Sequence, residues 1–347
     1  MSDRSPIRGA PSPSGAIDVV CVGNALMDHL AFAPYEALAA LGLPPGSMTL
    51  VDIPTTLRIG DTVGADQRVP GGTVTNTAVG IASFGGRPVF VGAVGEDEAG
   101  ERYAADLHAS GVHAALQRFP SDGGDPDAAT GRCFVVVTPD GERTMATALG
   151  VGGRLDRGGI DAALLAEAAL IYFDGYLLDL PDSPAIVDAI IGAQRAAGNA
   201  IAVGLADALL VERHRATLTR LVREEAAVIF ANEAEVCALT GATDVPGALA
   251  DLARPGLVTV ATCGADGAFI GAGGDITPVP VAPTEQVVDS TGAGDLFAAG
   301  FCFGVTHGYD LEASGALGAL AAAEVITHLG ARPQRSLAEL AATATGA

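Results

Sequence analysis

Six short runs of almost wholly apolar, largely β-branched residues recur along the chain: IDVVCVG at 17–23, PVFVGAVG at 88–95, ALIYFDG at 169–175, AIAVGL at 200–205, AAVIFAN at 226–232 and LVTVAT at 257–262. A strand exposed on one side alternates apolar and polar residues, whereas a strand apolar on both sides has to be covered on both. Between the runs lie Ala- and Leu-rich segments with helical spacing, at 73–84, 98–110, 183–197 and 310–328. The alternation predicts an α/β fold, a doubly wound, mostly parallel sheet flanked by helices.

Two stretches, 29–66 and 116–147, interrupt this pattern and are richer in Pro, Thr and Asp. The second contains TGRCFVVVTPDGERTMATA, two strand-like runs joined by Pro139-Asp140-Gly141, which is a hairpin signal. Together they are expected to form a small discontinuous β lid, leaving 17–28, 67–115 and 148–347 for a large nucleotide- and substrate-binding domain. Residues 1–16 read as a flexible tail without the apolar stretch of a signal peptide. No segment offers about 18 strongly apolar residues in succession, so no membrane span is expected.

Composition removes several enzyme classes. All 19 basic residues are arginine. A Walker-A loop, a protein kinase and a pyridoxal or Schiff-base enzyme each need a lysine, so none can be built here. The net charge of -22, with no run of arginines to reverse it, argues against nucleic-acid partners. Cys21, Cys133, Cys237, Cys263 and Cys302 are odd in number, far apart and set among small or apolar residues. They read as buried thiols of a cytoplasmic protein.

The strongest local feature is VVDSTGAGDLFAAGFCFG at 287–304. An apolar run ends at Asp289, the turn Thr291-Gly292-Ala293-Gly294 follows, and Asp295 opens an apolar helix. Small residues there let backbone N–H groups converge on an anion. Asp295 fits two roles equally well, an acid complementing the helix dipole or a base beside a phosphate nest. Phe297 stands where a dinucleotide fingerprint needs Gly or Ala, which weakens an NAD-dependent oxidoreductase reading. Four further elements carry polar groups at strand ends or glycine turns. Asn24 and Asp28 follow the first strand, and Gly71-Gly72 with Asn76 opens a small-residue helix. Asn232 and Glu235, three apart at a strand-to-helix junction, suit water-mediated magnesium binding. Thr262, Gly264 and Gly267 form either a nucleotide-approaching loop or a hairpin turn.

The order GG-x-x-x-N, N-x-x-E, T-x-G-x-x-G and D-x-x-GAGD resembles the PfkB or ribokinase-like family of sugar and nucleoside kinases, over roughly residues 17–340. The resemblance implies a hydroxyl kinase that works without a P-loop lysine, which agrees with the lysine-free chain. It makes Asp295 the catalytic base and Gly292, Ala293 and Gly294 the anion hole. It assigns Asn232 and Glu235 to magnesium and phosphate, Thr262, Gly264 and Gly267 to the nucleotide, and His328 to the border of the adenine. Asp289 and Thr291 match positions holding a monovalent cation, K+, in ribokinase. GNALMD, GGTVTN, TGRC and DGYLLD look like segments of the adenosine kinase branch. That likeness implies Asn24, Asp28, Gly71, Gly72 and Asn76 on the ribose, Arg143 closing over the phosphates and Tyr176 beside the purine. Thr73 and Leu177 depart from the branch, which leaves ribose, fructose or another sugar open as the acceptor. The resemblance also implies Mg2+ with ATP as cofactors, small-molecule partners alone, and a monomer or homodimer. A non-catalytic nucleotide sensor on the same fold is disfavoured by the presence of Asp295.

Overall fold

A computed structural model describes residues 17–345 apart from 66, 122, 123, 126, 141 and 285; the tail expected at 1–16 lies outside the described residues. The strands are β1 (Ile17–Val22), β2 (Leu26–Phe32), β3 (Met48–Leu50), β4 (Gln67–Gly71), β5 (Pro88–Gly95), β6 (His113–Phe119) and β7 (Thr130–Val137). They continue with β8 (Arg143–Gly150), β9 (Ala168–Asp174), β10 (Ala200–Gly204), β11 (Val228–Asn232), β12 (Val258–Thr262), β13 (Ala268–Ala272) and β14 (Asp275–Val279). The helices are α1 (Tyr35–Leu41), α2 (Ile53–Val63), α3 (Thr73–Ser83), α4 (Glu98–Ala109), α5 (Ala162–Glu167) and α6 (Ser183–Ala197). Then come α7 (Ala208–Glu224), α8 (Glu233–Thr240), α9 (Val245–Leu252), α10 (Ala293–Thr306), α11 (Leu311–Val325) and α12 (Leu337–Thr345).

The large sheet has the order β14-β13-β12-β11-β10-β9-β1-β5-β6 and is parallel from β12 to β6, with an antiparallel β12-β13-β14 meander at one edge. Side chains alternate across β1: Val19 and Cys21 enter one core with Phe90, Ile81, Leu296 and Phe301, while Val20 and Val22 enter the other with Ile171, Phe173, Val203 and Ile229. Both faces are therefore dry, which is why these strands carry no polar period. All six expected strands are present.

The second sheet has the order β3-β8-β7-β2-β4. One face packs on α1 and α2 through Leu38, Ile59, Phe134, Val136 and Ala146. Its membership differs from the expected boundaries: residues 26–28, 67–71 and 148–150 belong to this small sheet, whereas 116–119 complete the edge strand β6 of the large one. β6 is half-exposed along most of its length and so lacks an apolar run. Two cysteines, Cys237 and Cys263, are partly exposed, not buried. Among the described residues no helix is long and apolar enough to cross a membrane.

Candidate active site

Parallel strands all point the same way, so the residues that end them gather along one edge of the sheet. Here Asp174 ends β9, Gly204 ends β10, Asn232 ends β11 and Thr262 ends β12. All four line a cavity of about 220 Å³, together with Thr73, Tyr172, Glu235, Gly294 and Asp295. The cavity sits beside the point where the chain reverses its direction of sheet growth, with β5 on one side of β1 and β9 on the other.

Asp295 is held from two sides. It lies in the first turn of α10, and its Oδ2 accepts a hydrogen bond from Asn76 Nδ2 at 2.9 Å. Its backbone carbonyl accepts one from Thr77 Oγ1 at 3.1 Å, so α3 clamps the start of α10. The turn before the helix depends on Gly292, whose φ of 79° is left-handed and where a Cβ would lie 2.7 Å from Ala331 Cβ. Ala293 already donates its amide to Ser290 at 3.2 Å, while Gly294 and Asp295 line the cavity.

A second group converges where β2 meets β4. Asp28 lies directly across from Val69, and the turn at Gly71 passes so close that a Cβ there would stand 2.0 Å from Asp28 Oδ2. Gly72 approaches the Asn24 carbonyl in the same way. Tyr103 of α4 fixes the turn by donating to the Gly71 carbonyl at 3.1 Å. Three buried acceptors around these elements have no hydrogen-bond partner: Asn24 Oδ1, Asn76 Oδ1 and Asp174 Oδ1. Buried polar atoms are rarely left unpaired, and acceptors of this kind can take hydrogen bonds from hydroxyl groups.

Four carboxyls share this region and titrate high. Asp295 is pushed up to about 7, chiefly by burial, with the Asn76 hydrogen bond opposing and Asp174, Asp28 and Glu235 adding to the rise. Asp28 reaches about 7, again mainly through burial, against the pull of Arg332 and Arg143. Burial raises Glu235 to about 7 and Asp174 to about 6. Such groups titrate as a set, and carboxyls poised near neutrality are suited to taking a proton.

Asn232 and Glu235 form a capping box at the start of α8: Asn232 Oδ1 accepts from the Glu235 amide at 2.9 Å, and Glu235 accepts from the Asn232 amide at 2.9 Å and from Asn232 Nδ2 at 2.7 Å. Each carboxylate oxygen accepts one of these hydrogen bonds and has a second lone pair, and both residues line the cavity. No group of three or more His, Cys, Asp or Glu among the described residues could cage a metal ion.

Other expected site residues are not among those lining this cavity. Gly264 and Gly267 turn the β12-β13 hairpin and do not line the cavity, although Thr262 does. His328 lies beyond the end of α11, 3.4 Å from the buried Glu324, and is not among the lining residues. Tyr176 packs against the second core, and the aromatics that line the cavity are Tyr172, four residues earlier on β9, with Phe230 and Phe297. Arg143 reaches across from β8 to pair with Asp289 and to donate to Thr291. Asp289 is wholly buried and also accepts the amides of Thr291 and Gly330, each at 2.8 Å.

Several lining residues escape sequence reading. Thr73 donates to Asp174 from a position 101 residues away, a pairing that only the fold creates. Ala206, next to the end of β10, has a φ of 72°, strain of the kind that concentrates at functional sites. Asp174 had a usable signal, an acid ending an apolar strand at the sheet's C-terminal edge.

The chain's likenesses to known proteins agree on one family. The family described as pfkB family carbohydrate kinase matches residues 50–337. The adenosine kinase of Saccharomyces cerevisiae is 30% identical, over 90% of this chain and 95% of its own. The crystal structure of adenosine kinase from Sinorhizobium meliloti is 37% identical, covers 94% of this chain and 99% of its own, and superposes with a TM-score of 0.87. A probable sugar kinase from Rhizobium etli is 34% identical over 96% of this chain and 99% of its own, with a TM-score of 0.86.

Proposed function

Because the chain belongs to the pfkB family of carbohydrate kinases, it is a phosphotransferase acting on a hydroxyl group, and we propose that it transfers the γ-phosphoryl of ATP to the 5′-hydroxyl of adenosine or a closely related nucleoside. One observation carries this reading. The Asp295 carboxylate, high in pKa and oriented by Asn76, lies at the start of a helix in a cavity lined by Asp174, and Asp174 and Asn76 each keep an unpaired Oδ1, which suits a polyhydroxylated substrate beside a phosphoryl group.

In this account Asn24, Asp28 and Asn76 accept hydrogen bonds from the ribose hydroxyls, beside the Gly71-Gly72 turn. Asp295 takes the proton of the attacking hydroxyl, and the oxygen adds in line to the γ-phosphorus as the bond to ADP breaks. The amides at the start of α10 face the equatorial oxygens, where the helix dipole favours added negative charge. The ends of β11 and β12, with Asn232 and Thr262, border the ATP. Glu235 and Asn232 fit magnesium held through water and shared with phosphates, and the ion when bound neutralises charge on the β- and γ-phosphoryl groups. The positive partner of Asp289 is the Arg143 guanidinium, so we place no monovalent cation at Asp289 and Thr291. Arg143 also ties the small sheet, our proposed lid, to the turn before α10, and closure there excludes water from the reaction.

A free sugar as acceptor is the second reading, favoured by the near-equal likeness to the Rhizobium etli sugar kinase. Release of ADP measured across adenosine, other nucleosides, ribose and fructose separates the two. The nucleoside reading expects the highest kcat/KM with adenosine, and a clear preference for a free sugar would overturn it.

A further inference from the structure

We propose that the face of the small sheet behind Asp28 is a second binding site, taking a small phosphate-bearing anion. Residues alternate across β2, so Met27 and His29 point away from Asp28. Register places Arg68 of β4 opposite His29 and Arg132 of β7 beside Met27, which puts both arginines on that same face. Arg102 of α4 closes over them, its Nη2 donating to the Arg68 carbonyl at 2.6 Å. These residues line a cavity of about 250 Å³ with Asp97, Glu98 and Ala99.

The charge pattern is what calls for an anion. Eight other arginines sit within ion-pair distance of a carboxylate, as expected in a chain with a net charge of -22. Among the described residues Arg58, Arg68, Arg102, Arg132, Arg157, Arg215, Arg220, Arg254 and Arg335 have no such partner, and what sets Arg68, Arg102 and Arg132 apart is that they line one cavity, where Arg68 and Arg132 repel each other. Asp97 lies close enough to feel the Arg132 charge but makes no ion pair with it: Oδ1 accepts from the Gly100 amide at 2.7 Å and from Thr130 Oγ1 at 2.6 Å, and Oδ2 from the Thr130 amide at 2.8 Å. Glu101 is bound to Arg118, and Glu98 is exposed at the rim. His29 stacks on Phe134 with its Nδ1 buried and unpaired. Burial and the three guanidiniums hold its pKa near 4, so it adds no charge. Three planar forks facing one cavity suit the oxygens of a tetrahedral phosphate. Arg68 and Arg132 belong to the small sheet and Arg102 to a helix of the large one, so a bound anion bridges the two directly behind Asp28.

The test is calorimetric titration of inorganic phosphate into the full chain, at ionic strength matched with chloride, for the wild type and for Arg68→Gln/Arg132→Gln. Loss of two charged donors is expected to weaken phosphate binding at least about tenfold. If the double variant does not fold, Arg102→Gln, on an exposed helix face, is expected to weaken it several-fold. Glycerol phosphate run in parallel identifies the source: tighter binding of the monoester points to a phosphorylated metabolite, tighter binding of orthophosphate to the free ion. Wild-type heats no larger than with chloride, or equal affinities in wild type and variants, overturn the proposal. Phosphate held at the α10 turn alone gives that second result, so the outcome does not depend on the kinase reading.

Discussion

Asp295→Asn isolates the proton-transfer step from binding and folding. The amide side chain has the shape of the carboxylate, and its Oδ1 can still accept the 2.9 Å hydrogen bond from Asn76 Nδ2. What it loses is the ability to hold a proton. A positioned base contributes roughly 10²- to 10⁴-fold, so the barrier should rise by about 2.7–5.5 kcal/mol. The substrate hydroxyls are assigned to other residues, so KM for the nucleoside should change by no more than about threefold. Stability gives an independent check. A carboxyl raised from 3.8 to about 7 destabilises the fold as pH climbs through that range, because it ionises more readily when unfolded. Asparagine carries no such cost, so at pH 8 the variant should melt at or above the wild-type temperature. The assay is coupled ADP release with thermal melts on the same samples. A folded variant turning over within about threefold of wild type would refute the base assignment.

Three further outcomes follow from the geometry. The kcat/KM should rise with pH through an apparent pKa near 7, since the base works ionised, and Asn76→Leu should move that midpoint upward by removing the hydrogen bond that lowers the Asp295 pKa; a pH profile of both proteins checks it. Arg143→Gln leaves a fully buried Asp289 carboxylate with only two backbone amides, and is expected to cost about 3 kcal/mol in a denaturant melt. Gly71→Ala drives a methyl into Asp28 Oδ2, and should raise nucleoside KM by about tenfold or more while thermal stability falls only modestly.

The large sheet was legible because its inner strands are buried on both faces and so leave continuous apolar runs, as β1, β9 and β11 do. β6 was not, since an edge strand with half-exposed side chains resembles any mixed segment. The small sheet showed only its β7-β8 hairpin; β2 and β4 pair across a segment that holds α1, β3 and α2, and no local signal announces that register. Site residues divide in the same way. Asp295, Asn232, Glu235 and Thr262 stand at strand ends and helix starts, features that periodicity locates, and they do meet at one cavity. The Thr73 to Asp174 and Arg143 to Asp289 contacts join residues more than a hundred positions apart, so only packing creates them. The arginines at 68, 102 and 132 look scattered along the chain, and it is strand register that gathers them.

The most direct measurement of the central claim is the fate of the γ-phosphoryl group. With adenosine and γ-labelled ATP, one label per ADP should appear on the 5′-oxygen of the nucleoside, and Asp295→Asn should slow that transfer without diverting it. Label recovered only as inorganic phosphate, or on a different hydroxyl, would contradict the account.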